Sequence, residues 1–273
     1  MKRFYLTLML ILFTISLYSC SNANSNNNSN SQSSEISDII IYESSSYQTN
    51  TDYIEIPQET AYETSAPFIL PDSYSIDVDY IYQNPELPTG CEITSLTMLL
   101  NHLGFDVSKT DLADNYLEKD YMCTVGFNDA FIGDPRWDGG YGCFSPVIVR
   151  AAQKYLDTQQ DGYKYLVENI SGTDFEDLYE YIANDIPVVI WCSMSLMNVY
   201  KNYCYTAADG TDVYWYDNEH CMLLTGYDKN EGTVTAADPL EGLMLYNSER
   251  FEYIYNQLEK QAVIIRKSVA VKQ

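Results

Sequence analysis

The hydrophobic pattern of this chain becomes regular only from about Ser75 onward, where apolar residues recur at helical or strand spacing. The most informative helix is predicted to begin near Cys91, because apolar residues follow it every three or four positions: Ile93, Leu96, Leu100 and Leu103. Thr89 and Glu92 are spaced as a capping box at its start, and Gly104 suits the residue after its end. We therefore expect Cys91 in the first turn of a helix.

A second informative segment reads as two strands joined by a polar turn. Residues 220–228 are largely apolar, 229–232 form a polar turn that contains Gly232, and 233–238 form the second strand. Folding this hairpin places His220 almost directly across from Asp238, within one or two residues of register. An imidazole and a carboxylate are therefore expected to meet.

Shorter patterns complete a mixed, α+β set of elements. They comprise a Gly-rich turn over 138–146 that leads into a helix over 147–156, a helix that opens with a capping box at Thr173 and Glu176 and runs to about Asn184, a buried strand over 186–191, a helix over 248–258 and a closing strand over 262–266. The Gly-rich turn lacks the GK[ST] sequence of a phosphate-binding loop, so no nucleotide site is predicted there.

The N-terminal residues have the pattern of a targeting sequence. A basic start is followed by an apolar run over 4–17, which has the length of a signal peptide and is too short to be a good membrane-spanning helix. The run ends at Cys20 in a sequence that resembles the bacterial lipobox, in which this Cys is lipidated after cleavage. We predict a lipoprotein signal peptide over 1–19; an ordinary signal peptide with a coincidental Cys is the alternative.

The segment after Cys20 is predicted to be a flexible tether. Residues 21–34 are almost wholly Ser and Asn, and the chain stays polar without sustained periodicity to about Pro67. Such a composition cannot bury enough apolar surface to offset the entropy of the chain. We therefore assign 20–66 to the lipidated Cys and its tether, and 67–273 to one folded domain.

Charge and composition exclude several classes of protein. The formal net charge of −24 rules out binding to nucleic acid or to anionic lipid through counterion release. The chain has seven Cys and two His but no CxxC pair and no HExxH, so neither a zinc ribbon nor another metal centre is expected, and no cofactor is predicted. We expect no nucleic-acid partner, and membrane contact only through the lipidated Cys20.

The position predicted for Cys91 suggests reactive thiol chemistry. A thiol among the free N–H groups of a helix start, at the positive end of the helix dipole, is expected to have a lowered pKa. A buried structural Cys is an equally open interpretation. His102, in the last turn of the same helix, is expected to be structural. No disulfide is assigned among the remaining thiols, which are Cys123, Cys143, Cys192, Cys204 and Cys221; the last is expected to be a core thiol.

Four segments in order resemble one enzyme family: Gln83, residues 86–95, residues 220–228 and Asp238-Pro239. They are similar to the stand-alone branch of the bacteriocin-processing (double-glycine leader) cysteine peptidases. The resemblance implies a papain-like fold, in which an N-terminal helix carrying the Cys packs on an antiparallel sheet carrying the His and Asp. It also implies the roles of the residues: Cys91 as nucleophile, His220 as general base and acid, Asp238 as the orienting residue and Gln83 as oxyanion-hole donor with the Cys91 N–H.

Together these observations predict a lipid-anchored, monomeric cysteine peptidase that acts on a peptide or protein outside the membrane. Leader-processing members of the family are usually fused to a transporter, and no such part is visible in the sequence, so the sequence leaves open whether the target is a protein, a bacteriocin leader or a cell-wall peptide. Two alternatives stay open. One is a papain-like amidase of cell-wall peptides, and the other is a non-catalytic lipoprotein that uses the fold for adhesion or binding.

Overall fold

The computed structural model describes residues 68–268. The predicted signal peptide over 1–19, the lipidation site Cys20 and the tether over 20–66 lie outside the described residues. Within 68–268, no helix is long and apolar enough to cross a membrane.

The described chain alternates short helices and strands. The helices are α1 (Cys91–His102), α2 (Lys109–Asn115), α3 (Ser145–Thr158), α4 (Leu178–Ala183) and α5 (Ser248–Gln257). The strands are β1 (Ser73–Ser75), β2 (Lys119–Asp120), β3 (Phe131–Ile132), β4 (Tyr165–Asn169), β5 (Val188–Ser193), β6 (Tyr200–Thr206), β7 (Asp212–Asp217), β8 (Glu219–Asp228), β9 (Thr233–Asp238), β10 (Gly242–Asn247) and β11 (Ala262–Lys267). This mixture of helices and antiparallel strands confirms the predicted α+β class.

One antiparallel sheet organises the domain. Its strands follow the order β10-β9-β8-β5-β11-β4, and β1 pairs with the far end of β8. β8 and β9 form the predicted hairpin, with Asp228 opposite Thr233 and Leu223 opposite Ala237. β5 is fully buried, as expected of a strand covered on both faces, and it begins two residues later than the sequence pattern predicted.

Helix α1 is the central helix of the fold. It packs on β8 and β5 and also contacts α2 and α3. Every residue from Cys91 to Leu100 is buried, so the helix is covered on all sides rather than amphipathic. It ends at His102, and Gly104 follows that end as predicted, with a positive φ of 92° that suits glycine. The N–H groups of Gly104 and Phe105 donate to the carbonyls of Asn101 and Leu100.

Both predicted capping boxes are wrong. Gly90 precedes α1 without a side-chain cap, the Thr89 hydroxyl instead donates to the Trp137 carbonyl, and Glu92 turns into the core. Before α4, the Thr173 hydroxyl donates to the Ile170 carbonyl, and a 3₁₀ turn over Phe175–Asp177 begins the helical segment. In each case the side chain finds a partner outside the helix.

A separate hairpin, β6–β7, was not predicted. Its outward residues are polar or tyrosine, and the alternation that marks a strand is visible only in β7, where Val213 and Trp215 point inward. Trp215 stacks on Phe144, and its ring lies 4.2 Å from that of Phe127, measured between centroids. This aromatic cluster fastens the hairpin to the loop that leads into α3.

Candidate active site

His220 and Asp238 form a buried hydrogen-bonded pair. His220 lies near the start of β8 and Asp238 is the last residue of β9, so the antiparallel pairing brings them to one end of the hairpin. The distance between His220 Nε2 and Asp238 Oδ1 is 2.7 Å, and each residue is only 2% exposed. Leu223 pairs with Ala237, and the same register carried one residue further puts Asp238 opposite Met222. His220 is two residues from Met222, so the contact between His220 and Asp238 is diagonal. The sequence predicted the two residues to face each other within one or two residues.

Asp238 is held by more than the histidine. Its Oδ1 also accepts the backbone N–H of Leu240, and its Oδ2 accepts the Tyr246 hydroxyl at 2.8 Å. Burial raises the pKa of Asp238, but the hydrogen bond and charge of His220, together with these two donors, outweigh burial and lower the pKa. The carboxylate therefore stays ionised and fixes the His220 ring, which leaves Nδ1 as the nitrogen that can exchange a proton with a thiol.

Cys91 lies against the start of the strand that carries His220. It is the first residue of α1 and is 7% exposed. The backbone N–H of Cys221, the residue after His220, is directed at the Cys91 sulfur, and one helical turn later the Ser95 hydroxyl donates to the Cys221 carbonyl at 3.2 Å. The structure thus brings the nucleophile candidate and the His220 segment together.

The electrostatics of Cys91 differ from the prediction. Burial raises the pKa of the thiol well above its ordinary value, and the nearby Glu92 and Glu219 carboxylates raise it further, whereas the Cys221 N–H opposes them. The predicted lowering by the helix start is therefore wrong, because desolvation and two acidic neighbours outweigh the helix dipole. The thiol is not a resting thiolate by virtue of its position alone.

Glu92 and Glu219 form an acidic cluster with Cys91. The Cys91 thiol donates to Glu92 Oε2 at 3.3 Å, and Glu92 Oε1 accepts the Cys143 N–H at 2.7 Å. Donor atoms of Cys91, Glu92 and Glu219 all lie within 4.8 Å of one another. The Cys91 thiol keeps its hydrogen in the bond to Glu92, whereas a metal ligand must be deprotonated, so we interpret this cluster through its protons.

Gln83 lies between the segment that precedes Cys91 and the segment that follows Asp238. Its backbone N–H donates to the carbonyl of Pro239, the residue after Asp238, and its side-chain Nε2 donates to the carbonyl of Pro88 at 2.7 Å. Its Oε1 is buried without a hydrogen-bond partner among the described residues. The amide group has a second N–H, so the contact with Pro88 leaves one donor for a substrate carbonyl.

Two site residues were not found from the sequence. Tyr246 lies on β10 and reaches Asp238 only because β10 pairs with β9, a register that no local motif indicates. Glu219 precedes His220 directly, and its side chain reaches the Cys91 cluster. The sequence signal that could have identified Glu219 is its position next to the candidate histidine.

His102, which was expected to be structural, is the last residue of α1, at the opposite end of the helix from Cys91.

The remaining thiols are mostly structural. Cys143, Cys192 and Cys221 are completely buried free thiols, and Cys204 is a partly buried free thiol. Burial raises the pKa of each of them. Cys221 faces away from His220 because successive strand residues alternate, which agrees with its predicted place in the core.

A buried helix that begins with a cysteine and packs on an antiparallel sheet defines the papain-like peptidase fold. The family comparison agrees with this class: residues 75–263 match the Peptidase_C39 like family. The chain belongs to that family.

Two relatives illustrate the similarity. The YvpB protein of Bacillus subtilis (strain 168), which is described as uncharacterized, is 30% identical over 189 residues, covering 67% of this chain and 71% of the relative. A crystal structure from Bacillus anthracis, provisionally described as a C39-like peptidase, superimposes with a TM-score of 0.63 at 28% identity, covering 72% of this chain and 98% of that structure.

Proposed function

We propose that this protein is a cysteine peptidase that hydrolyses peptide bonds through Cys91, His220 and Asp238. The proposal is supported most directly by the buried hydrogen bond between His220 and Asp238. Cys221, the residue after His220, contacts the Cys91 sulfur through its backbone N–H. Membership of the Peptidase_C39 like family supports the same chemistry. Nucleophilic catalysis by a thiol requires a base and a carboxylate that orients the base, and these three residues are the candidates for those roles.

The proposed reaction is acyl transfer to the Cys91 sulfur. His220 Nδ1 takes the thiol proton as the sulfur attacks the amide carbon, because Nε2 is held by Asp238. The N–H of Cys91, one of the groups that a helix start leaves unpaired, and the Gln83 side chain stabilise the oxyanion. His220 then gives its proton to the leaving amine, and water activated by His220 hydrolyses the thioester.

The high pKa of the Cys91 thiol shapes this mechanism. A thiol whose burial raises its pKa does not supply a standing thiolate, so its proton leaves in step with attack on the substrate. His220 therefore acts as a general base in the first step rather than as one half of a permanent ion pair. Its fixed ring orientation is the main contribution of Asp238.

The proposal places the enzyme outside the cytoplasmic membrane, anchored by a lipid on Cys20. The substrate is then an extracytoplasmic peptide or protein, in keeping with the lipobox-like sequence at Cys20. Metabolic labelling with a radioactive fatty acid tests this directly. Wild-type protein should incorporate label and fractionate with membranes, and Cys20→Ser should lose both properties. Label that persists in Cys20→Ser would place the anchor elsewhere.

The peptidase activity is tested with the purified full-length chain and a proteome-derived peptide library read by mass spectrometry. Cys91→Ala and His220→Ala should abolish cleavage. Cys204→Ser is the matched control, because it removes a partly buried thiol in β6, outside the site, and should cleave normally. Hydroxylamine cleaves a thioester to a free thiol and an acyl hydroxamate, so a peptide hydroxamate that forms in wild type and not in Cys91→Ala would identify the acyl-enzyme.

The same experiment separates the alternatives. Isolated cell-wall muropeptides are supplied in parallel with the linear peptides. Cleavage of muropeptides alone would replace the peptidase by a cell-wall amidase that uses the same residues. No cleavage of either, together with a Cys91 thiol that iodoacetamide does not modify at any pH, would favour the non-catalytic binding protein.

A further inference from the structure

Two buried carboxyl groups adjoin the Cys91 thiol, and the proposed acyl transfer uses neither of them. Glu92 follows Cys91 in α1 and is completely buried, and Glu219 opens β8. Glu219 Oε1 is buried without a hydrogen-bond partner among the described residues. Buried carboxyls without a cationic partner are costly, so their placement beside a nucleophile calls for a physical reason.

The backbone around Glu92 is arranged to admit its carboxyl group. Its Oε1 accepts the Cys143 N–H, and its Oε2 accepts the Cys91 thiol hydrogen. At Gly142 a Cβ atom would lie 2.5 Å from Glu92 Oε1 and 2.7 Å from the Trp215 ring, so only glycine leaves the required space. The carboxyl group is therefore fixed in direct contact with the sulfur.

The titratable groups that face Glu92 come from every element packed around it. They are Cys91 in α1, Glu219 and Cys221 in β8, and Cys143 in the loop before α3. Burial raises the pKa of Glu92 to about 7, although hydrogen bonds from the Glu92 and Cys143 N–H groups and from the Cys91 thiol oppose the shift. Burial, followed by the charge of Glu92, raises the pKa of Glu219 well above its ordinary value. Burial thus disfavours the ionised form of both carboxyls, and Glu92 is the one that accepts a hydrogen bond from the Cys91 thiol.

We propose that Glu92 is a positioning residue that holds the hydrogen of the Cys91 thiol in the resting enzyme and releases the nucleophile when Glu92 is itself protonated. This proposal rests on the proposed function, because it concerns the protonation of that nucleophile. The observation that supports this role of Glu92 is the 3.3 Å contact between Cys91 Sγ and Glu92 Oε2.

The protons balance in both states. With Glu92 ionised, the sulfur keeps its proton and donates it to the carboxylate, whose negative charge disfavours a thiolate. When Glu92 takes one proton from the solvent, its O–H can donate to the sulfur instead. The thiol proton then passes to His220 as the sulfur attacks, and the negative charge that develops on the sulfur gains a hydrogen bond in place of a repulsive charge. Protonation of Glu92 therefore favours removal of the proton from the Cys91 thiol.

The test measures the rate of Cys91 alkylation by iodoacetamide between pH 5 and 9 in the full-length wild type, Glu92→Gln and Glu180→Gln. Glu92→Gln keeps the acceptor for the Cys143 N–H but cannot ionise. It should match wild type near pH 5 and react about tenfold faster near pH 8, the effect of a thiol pKa about one unit lower. Glu180→Gln is the matched control and should follow the wild-type profile, because it makes the same change at an exposed position of α4, outside the site.

Superimposable profiles for wild type and Glu92→Gln would overturn the proposal. A rate that falls equally at all pH values in Glu92→Gln would also overturn it, since that result describes a purely structural carboxyl. Alkylation needs no substrate, so the two proposals fail separately. If Glu92→Gln shows the expected pH profile but the wild type cleaves no peptide, only the proposed peptidase function is refuted. If the wild type cleaves peptides but the profiles of wild type and Glu92→Gln superimpose, only the proposed role of Glu92 is refuted.

Discussion

The Tyr246 hydroxyl donates a 2.8 Å hydrogen bond to Asp238 Oδ2, on the side of the carboxylate opposite His220. The contact depends on the pairing of β10 with β9, which places Tyr246 opposite Val234. Burial and the Asp238 charge raise the pKa of Tyr246, so the phenol keeps its proton and remains a donor. The Asp238 carboxylate is thus held by His220 of β8 and Tyr246 of β10, which limits rotation of the His220 ring.

Removing this hydroxyl should slow the enzyme without preventing substrate binding. In Tyr246→Phe the carboxylate keeps His220 and the Leu240 N–H but loses one of its donors. We expect kcat to fall about three- to tenfold with little change in KM, and the free energy of unfolding to fall by about 1 kcal/mol. Steady-state kinetics and urea unfolding check both values. Tyr253→Phe, at an exposed position of α5, is the matched control, and an equal loss in it would contradict the assignment.

Replacing the carboxylate itself should have a much larger effect. In Asp238→Asn the amide can donate to His220 Nε2, which moves the ring proton to Nδ1, the nitrogen that must accept the thiol proton. We expect kcat to fall about 10²- to 10⁴-fold while KM changes little. Kinetics with a cleaved library peptide measure the loss. A kcat within threefold of wild type would remove Asp238 from the mechanism, and Tyr246→Phe should add nothing in the Asp238→Asn background.

The elements that could be predicted from the sequence are those specified by neighbouring residues. The start of α1 at Cys91, its end just before Gly104 and the β8–β9 hairpin all depend on short-range spacing and turn residues. The hairpin also brings His220 to Asp238, because the length of its turn and a register shift between Leu224 and Gly226 together set the pairing. These features carry most of the candidate site.

The features that escaped prediction depend on distant parts of the chain. Glu92 was interpreted as a helix cap, yet its carboxyl reaches the Cys143 N–H, 51 residues away in sequence. The same burial reversed the predicted pKa shift of Cys91, since a position in a helix does not reveal what packs over it. Tyr246 depends on the pairing of a third strand. In each case the tertiary partner, rather than the local motif, decides the chemistry.

A methyl group at Gly142 should damage the slot that Glu92 occupies. The added Cβ of Gly142→Ala would meet Glu92 Oε1 and the Trp215 ring, and the φ of 153° at this position also favours glycine. We expect a loss of about 2–3 kcal/mol in the free energy of unfolding. Gly139→Ala, in the same loop, is the control, because no heavy atom lies within 4 Å of its added Cβ. Urea unfolding should show a change within about 0.5 kcal/mol there, and equal losses in both variants would refute the packing described.

The raised pKa of Glu92 also makes stability depend on pH. Its pKa is about 7 in the folded protein against an ordinary value of 4.5, so the folded state binds a proton more tightly than the unfolded chain does. Stability from this group is complete below about pH 4.5, declines as pH rises, and is lost above about pH 7.

Glu92→Gln should remove this slope, because glutamine stays neutral throughout. Relative to wild type, the variant should gain on the order of 2–3 kcal/mol of unfolding free energy between pH 5 and pH 8. Urea unfolding at both pH values gives the difference, and comparing variant with wild type cancels the groups that titrate in both proteins. Glu180→Gln, which makes the same change at an exposed position of α4, is the control and should show no such gain over this interval. Parallel pH dependence in wild type and Glu92→Gln would mean that Glu92 ionises in the folded protein as readily as in the unfolded chain.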